Sequence, residues 1–280
     1  MTLATSALWK LYARYYDHFP LQRGKYLLGT TLRRALGSAR VEIDGCKFDL
    51  DPVGMIDRRL IAGEQHDPVV HAAIQEGLAN GGTFLDVGAN AGYFTTLAAK
   101  MANTRVLAFE PSPRDRSRLN RHIELNGLNN VIVYPYGLSE TPQEAVLWIA
   151  RDSNPGMNAT RPMTGRSCVD QVTCQFFPLT ALVAPEQIRD VRAVKIDVEG
   201  AELQVLRGME PYFHLLTKAV FAVEISNNGW LARSGGSAND IYEIFAKHGF
   251  EPQHGALDSG QYDEVFRYRG PGLAATATRG

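Results

Sequence analysis

Residues 83–94 read TFLDVGANAGYF and decide the fold. A short apolar stretch ends on Asp86, a loop containing Gly88 and Gly92 follows, and an apolar run begins at Tyr93. This order predicts a strand, a tight turn and a helix, the beginning of a nucleotide- or nucleoside-binding βαβ unit. Glycine lacks the Cβ atom that would keep a ligand away from the backbone. The N-terminus of the helix offers free N–H groups to a carboxylate or phosphate.

A second acid supports the same interpretation. The apolar residues 106–109 predict a strand that ends on Glu110, 18 residues after Gly92. An acid at roughly 20 residues from the glycine loop is typical of βαβ units that bind a ribose through its hydroxyl groups. Glu110 is therefore the predicted ribose ligand.

The composition is that of an ordinary globular chain. It has 280 residues, 45% of them hydrophobic and 21% charged, and a formal net charge of −1. The charge gives no reason to expect nucleic acid as a partner. The three cysteines form no CxxC pattern, which argues against a disulfide framework or a zinc site. We expect no transmembrane segment and no signal peptide, and hence a cytoplasmic protein.

The chain divides into an N-terminal extension, residues 1–60, a main domain, 61–269, and a disordered tail, 270–280. Apolar and aromatic residues near the start recur at helical spacing and are flanked by basic residues. The pattern predicts a helix that packs on the main domain or on a second subunit in a homodimer. A helix that lies on a membrane surface is the alternative. Residues 41–48, VEIDGCKF, predict a β-hairpin.

The main domain alternates predicted strands and helices, which indicates an α/β fold with a mostly parallel sheet and helices on both faces. Asp67-Pro68 begins a helix that ends at residues 80–82, and Ser112-Pro113 begins another that ends at Asn126-Gly127. A polar loop spans residues 151–170. The further expected strands are 131–134, 145–149, 172–177, 191–197, 219–225 and 265–268, the last an edge strand, and the further helices are 199–207 and 240–248.

Four acids end predicted strands, and the carboxyl ends of parallel strands meet at one crevice. They are Asp86, Glu110, Asp197 and Glu224. Lys195 lies two residues before Asp197, so both side chains lie on one face of a buried strand, where a charge is costly unless it is paired or serves a ligand. Two interpretations stay open, an active-site group and a structural ion pair. Glu199 and Glu202 follow at the predicted start of a helix, where Glu202 is assigned only a helix-start role.

Four motifs together resemble the FkbM family of S-adenosylmethionine-dependent O-methyltransferases. They are DVGANAGYF (86–94), FEPSP (109–113), NGL (126–128) and KIDVEGAE (195–202), in the order found in that family. The resemblance implies a class I methyltransferase (Rossmann-like) fold, with a seven-stranded sheet whose last strand is antiparallel. It implies methylation of hydroxyl groups on sugars, glycolipids or macrolide natural products. The acceptor would thus be a small molecule or a glycan.

The resemblance also assigns the cofactor site. Asp86, Gly88, Asn90 and Gly92 would line the methionine end, with Tyr93 and Pro111 adjoining the site, and Glu110 would hold the ribose. Either Asn126 or the turn Tyr136-Gly137-Leu138 would lie beside the adenine. The chain departs from the family at residues 63–68, GEQHDP, where members often read Gly-x-Tyr/Trp-Glu-Pro. Any role of that glutamate would pass to Asp67.

Two other functions are alternatives. An NAD-dependent Rossmann dehydrogenase needs a GxGxxG loop for the pyrophosphate, whereas this loop has Asn90 at the middle glycine. The acid Asp86 before the loop suits the ammonium of a methionine better than a pyrophosphate. A non-catalytic nucleoside-binding protein is the second alternative.

Methyl transfer to an alcohol requires an aligned hydroxyl and a group that takes its proton. Asp197 is the predicted base, and Lys195, Glu199 and Glu224 would position the acceptor or tune Asp197. Asp197 and Glu224 would also suit a magnesium ion that lowers the pKa of the hydroxyl. His66, His71 and His254 are the alternative bases.

Overall fold

The computed structural model describes residues 3–16, 22–150, 160, 168–227, 229–257 and 260–270. Most of the polar loop 151–170 and the expected disordered tail from residue 271 onward lie outside these ranges. The helices and strands, numbered along the chain, are α1 (Leu3–Tyr15), α2 (Gln22–Leu36), β1 (Ala39–Ile43), β2 (Cys46–Leu50), α3 (Met55–Ala62), α4 (Pro68–Gly77), β3 (Gly82–Val87), α5 (Tyr93–Ala99), β4 (Thr104–Phe109), α6 (Pro113–Asn126), β5 (Val131–Tyr134), β6 (Gly137–Leu138), β7 (Gln143–Ala150), β8 (Cys168–Phe177), α7 (Leu179–Leu182), α8 (Pro185–Ile188), β9 (Val191–Ile196), α9 (Glu202–Met209), a 3₁₀ helix (Glu210–Leu215), β10 (Val220–Asn227), α10 (Trp230–Arg233), α11 (Ala238–Lys247), β11 (Phe250–Pro252) and β12 (Gly260–Tyr268).

Seven strands of the described residues form one sheet in the order β11-β12-β10-β9-β3-β4-β5. The pairings from β10 to β5 are parallel, and β12 runs antiparallel to both of its neighbours. This confirms the α/β class I methyltransferase fold with an antiparallel last strand. The chain moves outward in both directions from β3 and β9, so these two strands flank the crevice in which such sheets bind ligands.

Two details of the secondary structure differ from the sequence expectation. The last strand is not an edge strand, because the short strand β11 pairs with its outer side. The helix expected to begin at Glu199 begins instead at Glu202, after a turn in which Glu199 has a φ of 53°. Since non-glycine residues rarely adopt this conformation, the turn was not evident from the sequence.

Apolar side chains cover both faces of the sheet. Along β3, Phe84 packs into one hydrophobic cluster with residues of α4, α5 and α6, whereas Leu85 and Val87 pack into another with residues of α9 and α11. The alternation follows from the two-residue period of a strand. Asp86 shares the face of Phe84 and therefore points toward α5.

The N-terminal extension has a core of its own. Trp9 and Tyr12 of α1 are buried with Phe48 of the hairpin and with Leu97 of α5. The antiparallel pairing of β1 with β2 confirms the predicted hairpin. Leu8 and Leu11 on the other side of α1 are exposed. Membrane-surface binding and a homodimer through these helices stay predictions. No helix within the described ranges is long and apolar enough to cross a bilayer.

A smaller sheet in the order β6-β8-β7 lies next to the crevice. It contains both strands expected on either side of the polar loop, and they pair antiparallel. The short β6 joins β8 in parallel through Gly137 and Leu138. The sheet brings Leu138, Leu147 and Phe176 to the carboxyl end of the main sheet, where they line a cavity together with Glu110.

Candidate active site

The loop after β3 is a tight turn tied to the end of β4. The N–H groups of Gly88 and Ala89 both donate to the carbonyl oxygen of Phe109, at 3.0 and 3.1 Å. Gly88 has a φ of 79°, and a Cβ atom there would lie 1.9 Å from the backbone oxygen of Asp197. Any other side chain would therefore push the loop away from the turn after β9. Only glycine allows the two strand ends to meet so closely.

Glu110 is buried at the end of β4 with both carboxylate oxygens engaged. Its Oε2 accepts from the N–H of Asn90 at 2.7 Å, and its Oε1 accepts from the N–H of Ser112 at 2.8 Å. Burial, with a smaller contribution from Asp115, raises the pKa of Glu110 to about 8. The carboxyl group thus fixes the glycine loop to β4 and still lines the cavity beside it.

Lys195 joins two of the predicted acids. Its Nζ lies 3.7 Å from Asp86 Oδ1 and 3.2 Å from Asp197 Oδ2, and it donates to the carbonyl oxygen of Gly88 at 3.0 Å. Burial alone would lower the pKa of Lys195, but the charges of Asp197 and Asp86 outweigh burial and raise it. The ammonium is therefore kept charged. The structure therefore contains an ion pair between Lys195 and Asp197, in which the Asp197 side chain remains 34% exposed.

Asp86 lies beneath the loop rather than in a cavity. It is fully buried, and its Oδ2 accepts from the hydroxyl of Thr95 at 2.6 Å. Burial raises the pKa of Asp86, and Lys195 and Thr95 oppose that effect. Asp86 lines neither of the two described cavities at this end of the sheet, and the cofactor contact predicted for it stays a prediction.

Glu224 and Glu202 lie on the same side of the sheet end. The Oε2 of Glu224 is buried and has no hydrogen-bond partner among the described residues. Burial and the charges of Asp197 and Glu199 raise the pKa of Glu224 far above its usual range. Glu202 is fully buried in the first turn of α9, where its Oε1 accepts from the N–H of Gly200 at 2.8 Å. Glu202 therefore fixes the turn that carries Glu199.

Two cavities open at this end of the sheet. The first, which we call the strand-tip cavity, is bounded by the glycine loop, the end of β4 and the small sheet. The second, the extension cavity, has a volume of about 370 Å³ and lies between the N-terminal extension and the main sheet. The residues that line both cavities are Gly88, Asn90, Asp197 and Glu199.

The predicted site residues divide between these cavities. Pro111, Gly137 and Leu138 line the strand-tip cavity. Tyr93, Lys195 and Glu224 line the extension cavity, so the structure places Tyr93 away from the expected cofactor side. Gly92 begins α5, with a φ of 82°, and packs against Leu119 rather than lining a cavity.

The structure corrects the place expected for Asn126. Its Oδ1 accepts from the N–H of Lys47 at 2.8 Å, and its Nδ2 donates to the carbonyl oxygen of Lys47 at 2.7 Å. Asn126 therefore ties the hairpin to α6 and lines neither cavity. Of the two alternatives for the adenine side, only the turn containing Gly137 and Leu138 lies at the strand-tip cavity.

Sequence patterns did not identify His122, which lines the extension cavity, or Asp263, which lies outside its lining. His122 is buried, and its Nδ1 lies 2.7 Å from the carbonyl oxygen of Ala91. Asp263 of β12 pairs with Glu224 across the strands, and burial together with Asp67 and Asp197 raises its pKa to about 7. An acid in an alternating strand carries no signal of its own, because its neighbours are set by the strand register.

The three histidines proposed as alternative bases differ in whether they line a cavity. His66 lines the extension cavity, and its Nδ1 lies 3.2 Å from Asp67 Oδ2. Asp67, to which the role of the usual family glutamate would pass, lines the same cavity. His71 and His254 do not line either cavity.

Magnesium assistance stays a prediction. Within the described ranges, no group of three His, Cys, Asp or Glu side chains is arranged to hold a metal ion. The hypothesis that Asp197 and Glu224 share a magnesium ion predicts loss of transfer on EDTA treatment and recovery on addition of Mg²⁺. A full rate after exhaustive EDTA treatment would rule it out.

The sheet order, the glycine loop and the acid at the end of β4 define a class I methyltransferase. A model of the "Methyltransferase FkbM domain" matches residues 86–252, more than half of the chain. The chain belongs to the FkbM methyltransferase family.

Two curated relatives are named as methyltransferases. "Hexuronic acid methyltransferase AglP" of Haloferax volcanii is 33% identical over 125 residues, which cover 44% of this chain and 48% of that protein. "Methyltransferase 1" of Beauveria bassiana is 28% identical over 145 residues, which cover 45% of this chain and 57% of that protein. The chain thus spans about half the length of the curated relatives it matches.

Solved methyltransferase structures resemble the chain more distantly. An rRNA methylase from Streptococcus thermophilus shares 13% identity at a TM-score of 0.44, with 74% of this chain and 99% of that chain covered. M. jannaschii TYW2 in complex with AdoMet shares 16% identity at a TM-score of 0.38, with 83% and 87% covered.

Proposed function

We propose that the protein is an S-adenosylmethionine-dependent O-methyltransferase that acts on a hydroxyl group of a sugar, a glycolipid or a related natural product. One observation carries the proposal. The strand-tip cavity and the extension cavity share a border at Gly88, Asn90, Asp197 and Glu199, and a carboxylate stands at that border. Two ligands held in these cavities would therefore meet beside Asp197.

The residues that line the strand-tip cavity support the proposal that the cofactor binds there. Glu110 offers a carboxyl group for the ribose hydroxyls, and Leu138, Leu147 and Phe176 offer apolar surface for a base. The glycine loop brings backbone close to the border without a side chain at Gly88. When bound, S-adenosylmethionine supplies an electrophilic methyl group on its sulfonium and leaves as the thioether S-adenosylhomocysteine.

Asp197 is the residue we assign as the general base. Lys195 holds one oxygen of the carboxylate at 3.2 Å, which fixes the side chain at the border of the cavities. The partial exposure of Asp197 lets the proton that it takes from the hydroxyl pass to solvent. Glu224 differs, because its raised pKa keeps it protonated near neutral pH. Glu224 then serves as a hydrogen-bond donor to the acceptor rather than as a base.

The acceptor class rests on the extension cavity and on one relative. The cavity is lined by polar and charged side chains together with Phe48, Met55, Tyr93 and Phe94. Such a mixture suits a sugar ring, which offers hydroxyl groups at its edge and C–H groups on its faces. The relative named as a hexuronic acid methyltransferase supports a sugar-like acceptor.

Two measurements test the proposal. Calorimetric titration should show binding of S-adenosylmethionine and of S-adenosylhomocysteine, and no binding of NAD. Transfer of a tritiated methyl group should then be found with at least one member of a panel of hydroxylated sugars, glycolipids and macrolides. Binding without transfer to any member would favour a non-catalytic nucleoside-binding protein, and binding of NAD alone would favour a dehydrogenase.

A further inference from the structure

The extension cavity carries more acidic than basic side chains. Its described lining contains six carboxyl groups but only three Lys or Arg side chains. The acids are Asp57, Glu64, Asp67, Asp197, Glu199 and Glu224. Even with Glu224 protonated, carboxylates outnumber cations. The ionised carboxylates among them repel an anion more strongly where the cavity is shielded from water, because screening by water is weaker there.

Each of the three cations is already engaged by an acid. Lys195 contacts Asp86 and Asp197. Arg118 is paired with Asp57, and Arg59 with Glu64 at 2.7 Å. The two histidines give no compensation of comparable strength, since burial lowers the pKa of His122 and His66 is paired with Asp67. A carboxylate or phosphate on the acceptor would have to displace one of these acids before it gained a cationic partner.

The inner end of the cavity presents a carboxyl oxygen that no described group satisfies. Glu224 Oε2 is buried without a hydrogen-bond partner among the described residues. An anionic group on the acceptor would meet the like charge of Asp197, which lines the same cavity. An acceptor with hydroxyl or ammonium groups would instead supply hydrogen-bond donors to this oxygen.

We infer that the acceptor presents neutral hydroxyl or amine groups to the extension cavity, and that acceptors with a carboxylate or phosphate at this place are excluded. The inference rests on the proposed function and narrows its substrate class. The inferred acceptor would differ in charge from a hexuronic acid, for which one relative is named.

A charge-matched acceptor series tests the inference with the intact protein. Methyl glycosides of glucose, glucosamine and glucuronic acid, with their galactose and mannose counterparts, would be compared in the tritiated-methyl assay. Neutral and amine-bearing glycosides should exceed the uronides by at least about tenfold in kcat/KM. Equal or better use of a uronide would overturn the inference and leave the proposed function standing. Transfer to no member of any charge class would contradict the proposed sugar acceptor, and the inference would fall with it.

A pair of matched variants tests the ion-pair argument. Glu64→Gln removes the negative charge that is paired with Arg59, so the use of uronides relative to neutral glycosides should rise about two- to fivefold, the range of an exposed ion pair. Glu76→Gln releases Arg267 from an equally close pair, 2.7 Å, that lines neither cavity. That control should leave the ratio unchanged. An equal ratio in wild type, Glu64→Gln and Glu76→Gln would contradict the argument that paired cations exclude anionic acceptors.

Discussion

The strand-tip cavity and the extension cavity share a border but are built in different ways. The described residues that line the strand-tip cavity, from Val87 to Ala201, all lie within the family match. Much of the extension cavity comes from residues 48–68, and Gln261 closes it from β12. These parts lie outside residues 86–252. The proposed cofactor site therefore lies within the family match, whereas much of the proposed acceptor site lies outside it.

The two cavities also differ in their electrostatics. In the strand-tip cavity, the buried carboxyl group of Glu110 is stabilised by backbone N–H groups. In the extension cavity, acids are held mainly by cationic side chains, as in the pair of Arg118 with Asp57. Backbone donors persist whatever the side chains are, whereas ion pairs change with single substitutions. The acceptor side can therefore change its specificity without disturbing the cofactor side.

The largest expected effect is on catalysis at the border. Asp197→Asn should lower the rate of methyl transfer by about 10²–10⁴-fold, the usual contribution of a general base. Single-turnover assays would measure it. The matched control is Asp190→Asn at the other end of β9, which loses an ion pair of 3.3 Å with Arg192 and should keep its activity. Near-native turnover of Asp197→Asn would indicate that the general base is Glu199 or His66 instead.

The next largest expected effect is on the affinity for the cofactor proposed to bind in the strand-tip cavity. Above pH 8, where the carboxyl group of Glu110 is ionised, Glu110→Ala should weaken the binding of S-adenosylmethionine by about 1.5–3 kcal/mol, since it removes charge-assisted hydrogen bonds to the ribose. Calorimetry would measure the loss, and thermal unfolding without ligand would show whether the fold survives. An unchanged affinity in a folded variant would refute the role of Glu110.

Stability should also depend on pH through Glu110. Its pKa is raised to about 8 in the folded state, from an ordinary value of 4.5, so folding retains a proton that unfolding releases. The stabilising contribution is complete below pH 4.5 and is lost as the pH rises through about 8. Between pH 5 and 8.5, the Tm of the ligand-free wild type should fall roughly 5–10 °C more than that of Glu110→Gln. Parallel curves would show that Glu110 does not titrate in this range.

The smallest expected effect tests the correction at Asn126. Asn126→Ala removes hydrogen bonds between α6 and the hairpin, and should lower stability by about 1 kcal/mol, or ~2–4 °C in Tm. The affinity for S-adenosylmethionine should stay at the wild-type value in calorimetry. A loss of affinity without a loss of stability would indicate instead that Asn126 contacts the adenine.

Sequence patterns predicted the strand-loop-helix unit around Gly88 and Gly92 better than the tertiary contacts near the extension cavity, and the reason is physical. Glycines at 88 and 92 and the acid at 110 are set by local backbone geometry, which leaves a pattern within a few residues. The bonds of Asn126 to Lys47 and the pairing of Asp263 with Glu224 depend on tertiary contacts and strand register. The turn at Glu199 has a positive φ that is rare for glutamate, so the residue type did not predict the turn. The edge strand β11 is only three residues long, too short for a periodic signal.

Asp197 is proposed to act on the acceptor at the border, whereas Glu110 is proposed to hold the cofactor. The most direct test is the single-turnover rate as a function of S-adenosylmethionine concentration for wild type, Asp197→Asn and Glu110→Ala. We expect Glu110→Ala to reach the wild-type plateau at higher cofactor concentration. Asp197→Asn should saturate at the wild-type concentration on a plateau about 10²–10⁴-fold lower. A shifted midpoint with an unchanged plateau for Asp197→Asn would contradict the claim.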